Sequence, residues 1–214
     1  MTEWHGPLTG LLVGLLACAS TGQRLVTPRV QEIDLRKLPP SPVWTPGSPV
    51  REVPDLKRSE GARGPAVTLG GHTIQVVDRS LVVLAGGRQA AGPFAFGSLW
   101  PAGADPCGVD VEWPPVVTPD REAGRWLFWR RFQGMPDGSV PFCIAVSRTA
   151  DPIAGGWWLY DFSLPPHRYE GHDINVSTDA YRLAGKPGEG GVQIAFDRSS
   201  MLAGRPASFT VATR

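Results

Sequence analysis

Between Val116 and Phe162 the chain carries three runs of apolar, aromatic or β-branched residues. They are Arg-Trp-Leu-Phe-Trp-Arg-Arg-Phe ending at Phe132, Phe142-Cys-Ile-Ala-Val-Ser, and Trp157-Trp-Leu-Tyr-Asp-Phe. Clusters of Gly, Pro and Asp separate them, which is the pattern of short antiparallel strands joined by tight turns. The neighbouring segments repeat the rhythm, and no run has helical periodicity over the length a domain-forming helix needs. With 26 Gly and 22 Pro among 214 residues, turns are favoured over long helices. The expected fold class is all-β.

The N-terminal run Leu8-Thr-Gly-Leu-Leu-Val-Gly-Leu-Leu-Ala-Cys18 is too short to span a bilayer comfortably. It reads as a secretory leader, although a cleaved leader without lipid and a buried apolar segment fit the same residues. Leu15-Leu-Ala-Cys18 resembles the lipobox of bacterial lipoproteins. The resemblance implies that the chain is cut before Cys18, that Cys18 is lipidated, and that the protein is held to a membrane through it. Ala19, in place of Asp, then points away from inner-membrane retention, towards the outer membrane or cell surface. The expected organisation is a signal peptide over 1–17, a lipid-anchored Pro-rich spacer over 18–63 and a β-domain over 64–214. The spacer is expected because its Pro, Ser and charged residues bury too little apolar surface to offset the entropy of ordering.

Within the domain, His72 to Asp78 and Leu81 to Leu84 are expected to form a hairpin turning near Asp78 to Ser80. Gly92-Pro-Phe follows as a packed loop or edge strand. A strand pair is expected around Thr178-Asp179, then a strand from Val192 to Asp197, a helical turn from Arg198 to Leu202, and a last strand at Phe209-Thr-Val-Ala. Arg130 and Arg131 are read as a solvated loop or strand edge. Of the three cysteines, Cys107 and Cys143 lie in the β-rich region. In an exported chain they are expected to pair as a disulfide, the alternative being two buried free thiols.

Several pieces in order resemble a family of secreted bacterial β-propeller proteins: His72-Thr-Ile-Gln-Val-Val-Asp-Arg-Ser-Leu, Gly92-Pro-Phe, Cys107, Val116-Val-Thr-Pro-Asp-Arg-Glu-Ala-Gly-Arg-Trp-Leu, Cys143-Ile-Ala-Val-Ser-Arg-Thr-Ala-Asp-Pro, Tyr160-Asp-Phe and Ala195-Phe-Asp-Arg-Ser-Ser-Met-Leu-Ala-Gly. The resemblance covers roughly Gly64 to Gly204 and implies blades of antiparallel strands packed face to face. Blades of about forty residues leave room for about three, an incomplete set. Open strand edges would then favour self-association. In this reading Asp120 caps a turn and Trp126 packs between blades.

Chemical signals are sparse. The formal charge of +1 and the lack of a Lys/Arg cluster give no reason to expect nucleic acid. No Gly-x-Ser-x-Gly, phosphate-binding glycine loop or Cys-x-x-Cys is present. His167, Glu170 and His172 match no common zinc spacing, so neither a metal nor another cofactor is expected. Asn175-Val-Ser is a formal glycosylation sequon, incidental beside a bacterial leader. Glu112, Asp120 and Glu122 near a Trp-rich strand are the carboxylates of an alternative glycosidase reading, and Trp113, Trp126, Trp129, Trp157 and Trp158 are candidate sugar-stacking rings. Asp120, Glu122, Trp126 and Trp129 are the nominated ligand-facing residues, and no catalytic residue is nominated. The expectation is an exported, lipid-anchored surface or periplasmic module that binds a protein or glycan. The alternatives are the hydrolase and a degenerate propeller fragment.

Overall fold

The computed structural model describes residues 25–40, 66–77, 79–101, 106–109, 114–132, 135–166, 174–184 and 192–213. The leader, Cys18, Glu112, Trp113, and the His167 to His172 segment lie outside them. Antiparallel strands dominate, in three sheets. The first runs in the order β2 (Val67–Leu69), β3 (His72–Val77), β4 (Ser80–Ala85) and β5 (Arg88–Ala95). The second contains β6 (Val116–Asp120), β7 (Arg125–Arg131), β8 (Val140–Ser147) and β9 (Trp157–Leu164), with β1 (Arg29–Gln31) added outside β9. The third runs β10 (Ile174–Val176), β11 (Ala180–Ala184), β12 (Val192–Asp197) and β13 (Phe209–Thr213).

The turn chemistry follows the sequence. Arg79, at φ 68°, turns β3 into β4, and Ser177 to Asp179 turns β10 into β11. Gly92-Pro-Phe is edge strand, part of β5. Asp197 accepts from the Ser200 amide at 3.0 Å and so starts the single helical turn α1 (Arg198–Leu202). Gly204 closes that turn at φ 64°, where a Cβ would lie 2.6 Å from the Trp158 ring; only glycine fits.

Side chains of a strand alternate between faces, and the middle sheet uses both. Trp126, Phe128, Cys143, Ala145, Trp157 and Leu159 pack with Ile74, Val76, Leu81 and Phe94 of the first sheet. Leu127, Trp129, Phe142, Ile144, Tyr160 and Phe162 pack with Tyr181, Leu183, Ile194 and Phe196 of the third. That is why β7 and β8 read as continuous apolar runs rather than alternating ones. Three sheets thus lie face to face with two cores between them.

Cys107 and Cys143 form the expected disulfide, with Cα atoms 5.8 Å apart. Arg130 departs from expectation: it is 1 % exposed, inside the sheet rather than at a solvated edge. Its place in β7 directs it into the first core, where its guanidinium lies 4.8 Å from the Phe96 ring and 4.9 Å from that of Phe132. Its Nη2 donates to the Val109 carbonyl.

The larger departure is the Pro-rich stretch. Its residues 25–40 form a strap across the last strand of every sheet. Val26 and Ala207, just before β13, exchange backbone hydrogen bonds of 2.8 and 2.9 Å. β1 pairs with β9 from Arg29–Leu159 to Gln31–Trp157, and Pro40 bridges Phe94 in β5. Between these points Leu35 is 1 % exposed in the first core, flanked by Ile33 and Leu38. Composition suggested a free spacer, but four spaced apolar residues and three sheet edges with unpaired backbone groups suffice to order it. The opposite edges are blunt: β2 and β10 have three residues each, and β6 carries Pro119.

Candidate functional site

The nominated residues converge, but on a buried lock rather than an open site. Asp120 ends β6, and its Oδ1 accepts from the Ala123 amide at 3.0 Å, fixing the turn into β7. Arg198, the first residue of α1, reaches across from the third sheet. Its Nε donates to Asp120 Oδ2 at 2.7 Å and its Nη2 to Oδ1 at 2.9 Å, a bidentate pair. The Tyr181 hydroxyl donates to Oδ2 at 2.9 Å, and Arg198 Nη1 donates to the Thr178 carbonyl at 2.9 Å. Asp120 is fully buried, and the Arg198 side chain is 8 % exposed.

Burial pushes the Asp120 carboxyl up, but the hydrogen bonds from Arg198, the Ala123 amide and Tyr181 outweigh it and hold it below the usual carboxylate range. The Arg198 guanidinium is raised, first by its hydrogen bonds to Asp120. Burial and then the Asp120 charge raise the Tyr181 phenol. These groups are saturated by one another, and the cluster's work is to bolt the β6–β7 turn to the third sheet.

The other nominations divide. Trp126 and Trp129 are 0 % and 2 % exposed, so neither faces a ligand. Trp126 donates its indole N–H to the Ala150 carbonyl at 3.1 Å; Trp129 donates to Thr118 Oγ1 at 3.2 Å and stacks on Phe142 with centroids 5.4 Å apart. Glu122 alone reaches solvent, at 62 % exposure, with Oε2 3.4 Å from Arg198 Nη2. The carboxylate set of the glycosidase reading therefore does not meet in an open cleft: Asp120 is sealed inside the lock.

Among the described residues, two hollows lie elsewhere, neither of them nominated from the sequence. The larger, of about 420 Å³, is walled by Pro106, Met135, Pro136, Pro141 and Phe162, with Asp137 and Asp161 among its lining. The smaller, of about 260 Å³, is lined by Leu25, Val26, Asp161, Ser163 and Phe209. Asp161 and Ser163 belong to both, so the hollows adjoin along the outer side of β9. Hydrogen bonds from the Ser139 hydroxyl and amide hold the Asp137 carboxyl below its ordinary range. Asp161 accepts from the Trp100 indole at 2.5 Å and faces Arg29 Nη2 at 3.3 Å. One signal pointed here, a lone acid inside the apolar run Tyr160-Asp-Phe.

Among the described residues no three His, Cys, Asp or Glu side chains are grouped as a metal ion would need. Compared with known proteins, the chain matches no protein-family model, no curated sequence and no solved structure.

Proposed function

We propose that this chain is an exported, lipid-anchored module of the bacterial cell envelope, built from propeller-type blades, that binds another protein at the Met135 hollow. The observation that carries the reading is the hollow itself. It has an apolar wall of Pro106, Met135, Pro136 and Pro141, with Met135 43 % exposed and Val109, three residues beyond Pro106, 42 % exposed. Exposed Met beside rigid prolines is an adaptable contact surface for peptide side chains. A protein ligand is favoured over a glycan because, of the candidate sugar-stacking rings among the described residues, Trp126, Trp129 and Trp157 are buried and half-buried Trp158 is covered by Arg148, 4.8 Å from its ring. The three face-to-face meanders support the blade reading. The Cys107–Cys143 disulfide supports an oxidising compartment, and Leu15-Leu-Ala-Cys18 supports the anchor. Self-association through strand edges is less well supported, because the strap and the short edge strands leave little edge to pair.

The hydrolase alternative requires an acid kept protonated near neutral pH. Among the described residues, the carboxylates with a displaced acidity, Asp34, Asp120, Asp137, Asp179 and Asp197, are all displaced downward. The deciding experiment places a photo-crosslinking residue at Met135, and in a second strain at Glu122, in cells expressing the full chain. A discrete protein adduct is expected at 135 alone, lost on adding Asp137→Lys. No adduct at 135, together with release of reducing sugar from envelope polysaccharide that Glu122→Gln abolishes, overturns the binding reading for the hydrolase.

A further inference from the structure

The strap sets how far the folded part can stand from an anchor at Cys18. Val26 is hydrogen-bonded to Ala207, and Leu25 beside it lines the smaller hollow. Leu25 is seven positions after Cys18. Fully extended, that length spans at most roughly 25 Å, and as flexible coil about 15 Å. A domain of this size is about 40 Å across. The tether is therefore shorter than the body it holds. Residues 41–63, counted in the spacer on composition, begin after Pro40, which bridges β5, and end before β2, and so add nothing to its length.

The surface nearest the anchor also has the composition of a surface laid on lipid. Leu25 is 63 % exposed, and Val211, two positions after the hollow-lining Phe209 on β13, is 39 % exposed. Val30, farther along the strap, is 55 % exposed. Two cations lie in the same stretches: Arg29 on the strap, whose side chain is 47 % exposed and whose Nη2 is 3.3 Å from Asp161, and the exposed Arg205, two positions before Ala207. Apolar side chains bordered by arginines suit the headgroup boundary of a bilayer containing anionic lipid.

We infer that the outer edge around Leu25, Phe209 and Val211 rests on the membrane, with the β6–β7 turn at Glu122 directed away from it, since β6 is the edge of the middle sheet opposite β9 and the strap. The inference depends on the anchor reading of Cys18 given above. It places the Met135 hollow, which adjoins this edge through Asp161 and Ser163, close to the bilayer, so its protein ligand would be met at the membrane rather than across the compartment.

The test uses the full chain, processed and acylated in a bacterial host and reconstituted in vesicles of phosphatidylethanolamine and phosphatidylglycerol. Leu25→Cys, Val211→Cys and Glu122→Cys each supply a unique free thiol for a fluorophore, because Cys107 and Cys143 are paired and an acylated Cys18 does not react. All three positions are exposed, and an unchanged melting temperature confirms each labelled protein. With nitroxide on the lipid headgroups, fluorescence at 25 and 211 is expected to fall at least twofold, and that at 122 to stay within a tenth of its value without quencher. Equal quenching at the three positions, or none at 25 and 211, with the acyl mass present on Cys18, overturns the orientation while leaving the anchor standing. A Cys18 without acyl mass overturns both.

Discussion

Replacing Asp120 by Asn keeps the size of the side chain and removes the charge that faces Arg198. In the native protein that carboxylate accepts four hydrogen bonds, from the Ala123 amide, the Tyr181 hydroxyl and two nitrogens of Arg198. The variant leaves a guanidinium, 8 % exposed, between two sheets with the Thr178 carbonyl and, at 3.4 Å, the mostly exposed Glu122. Breaking a buried pair by removing one partner costs about 3–5 kcal/mol; the residual contact with Glu122 places Asp120→Asn near the low end, about 3 kcal/mol. For a domain of this size that lowers the melting temperature by about 6–12 °C. Urea titration of Asp120→Asn, Arg198→Met and the double variant closes the cycle. The double variant is expected to be more stable than Asp120→Asn alone, because removing both charges removes the desolvation penalty with them. Acid supplies a second reading of the same pair. The folded carboxyl lies below its unfolded value near 3.9, so its contribution is complete above about pH 4 and is lost as pH falls through the folded value. The stability gap between native protein and Asp120→Asn should therefore narrow only below pH 4. An Asp120→Asn protein within about 1 kcal/mol of the native one at pH 7, or a gap that narrows above pH 5, refutes the assignment of this cluster as a structural lock.

Leu35→Ala, in the middle of the strap, is expected to cost about 2–5 kcal/mol, as for other buried leucines; a free spacer would show no change in the urea midpoint. Replacing Cys107 and Cys143 together by Ala opens a loop with a sequence separation of 36. By the chain-entropy relation it should lower stability by about 4 kcal/mol, read by thermal melting against the native protein under non-reducing conditions.

Much of the fold was legible because its signals are local. The β3–β4 hairpin, the pair around Thr178-Asp179 and the α1 turn each follow from a few residues with fixed conformational preferences. The strap was not legible, because its order depends on edges that only the folded sheets create. Nothing in Leu-Arg-Lys-Leu-Pro-Pro states that Leu35 will find a gap beside Ile153, where its amide donates at 2.8 Å. Arg130 was misread for a related reason: a charge in a strand looks solvated until the rings of Phe96 and Phe132 are in place around it.

The two tryptophans nominated as ligand-facing are buried for a reason that strand geometry already contains. Trp126 and Trp129 lie three positions apart in one strand, so they must point to opposite faces of the sheet. No single ligand could have met both. The continuous apolar runs of β7 and β8 made the further point that neither face is free, since a sheet with one solvated face alternates polar with apolar residues. With both faces covered, only the edges and loops of the middle sheet remain available for function. The two hollows lie there, on the outer side of β9, around the one acid that the apolar run from Trp157 to Leu164 contains. In this chain the polar exception within a strand, more than the conspicuous tryptophans, marks where the middle sheet borders open hollows.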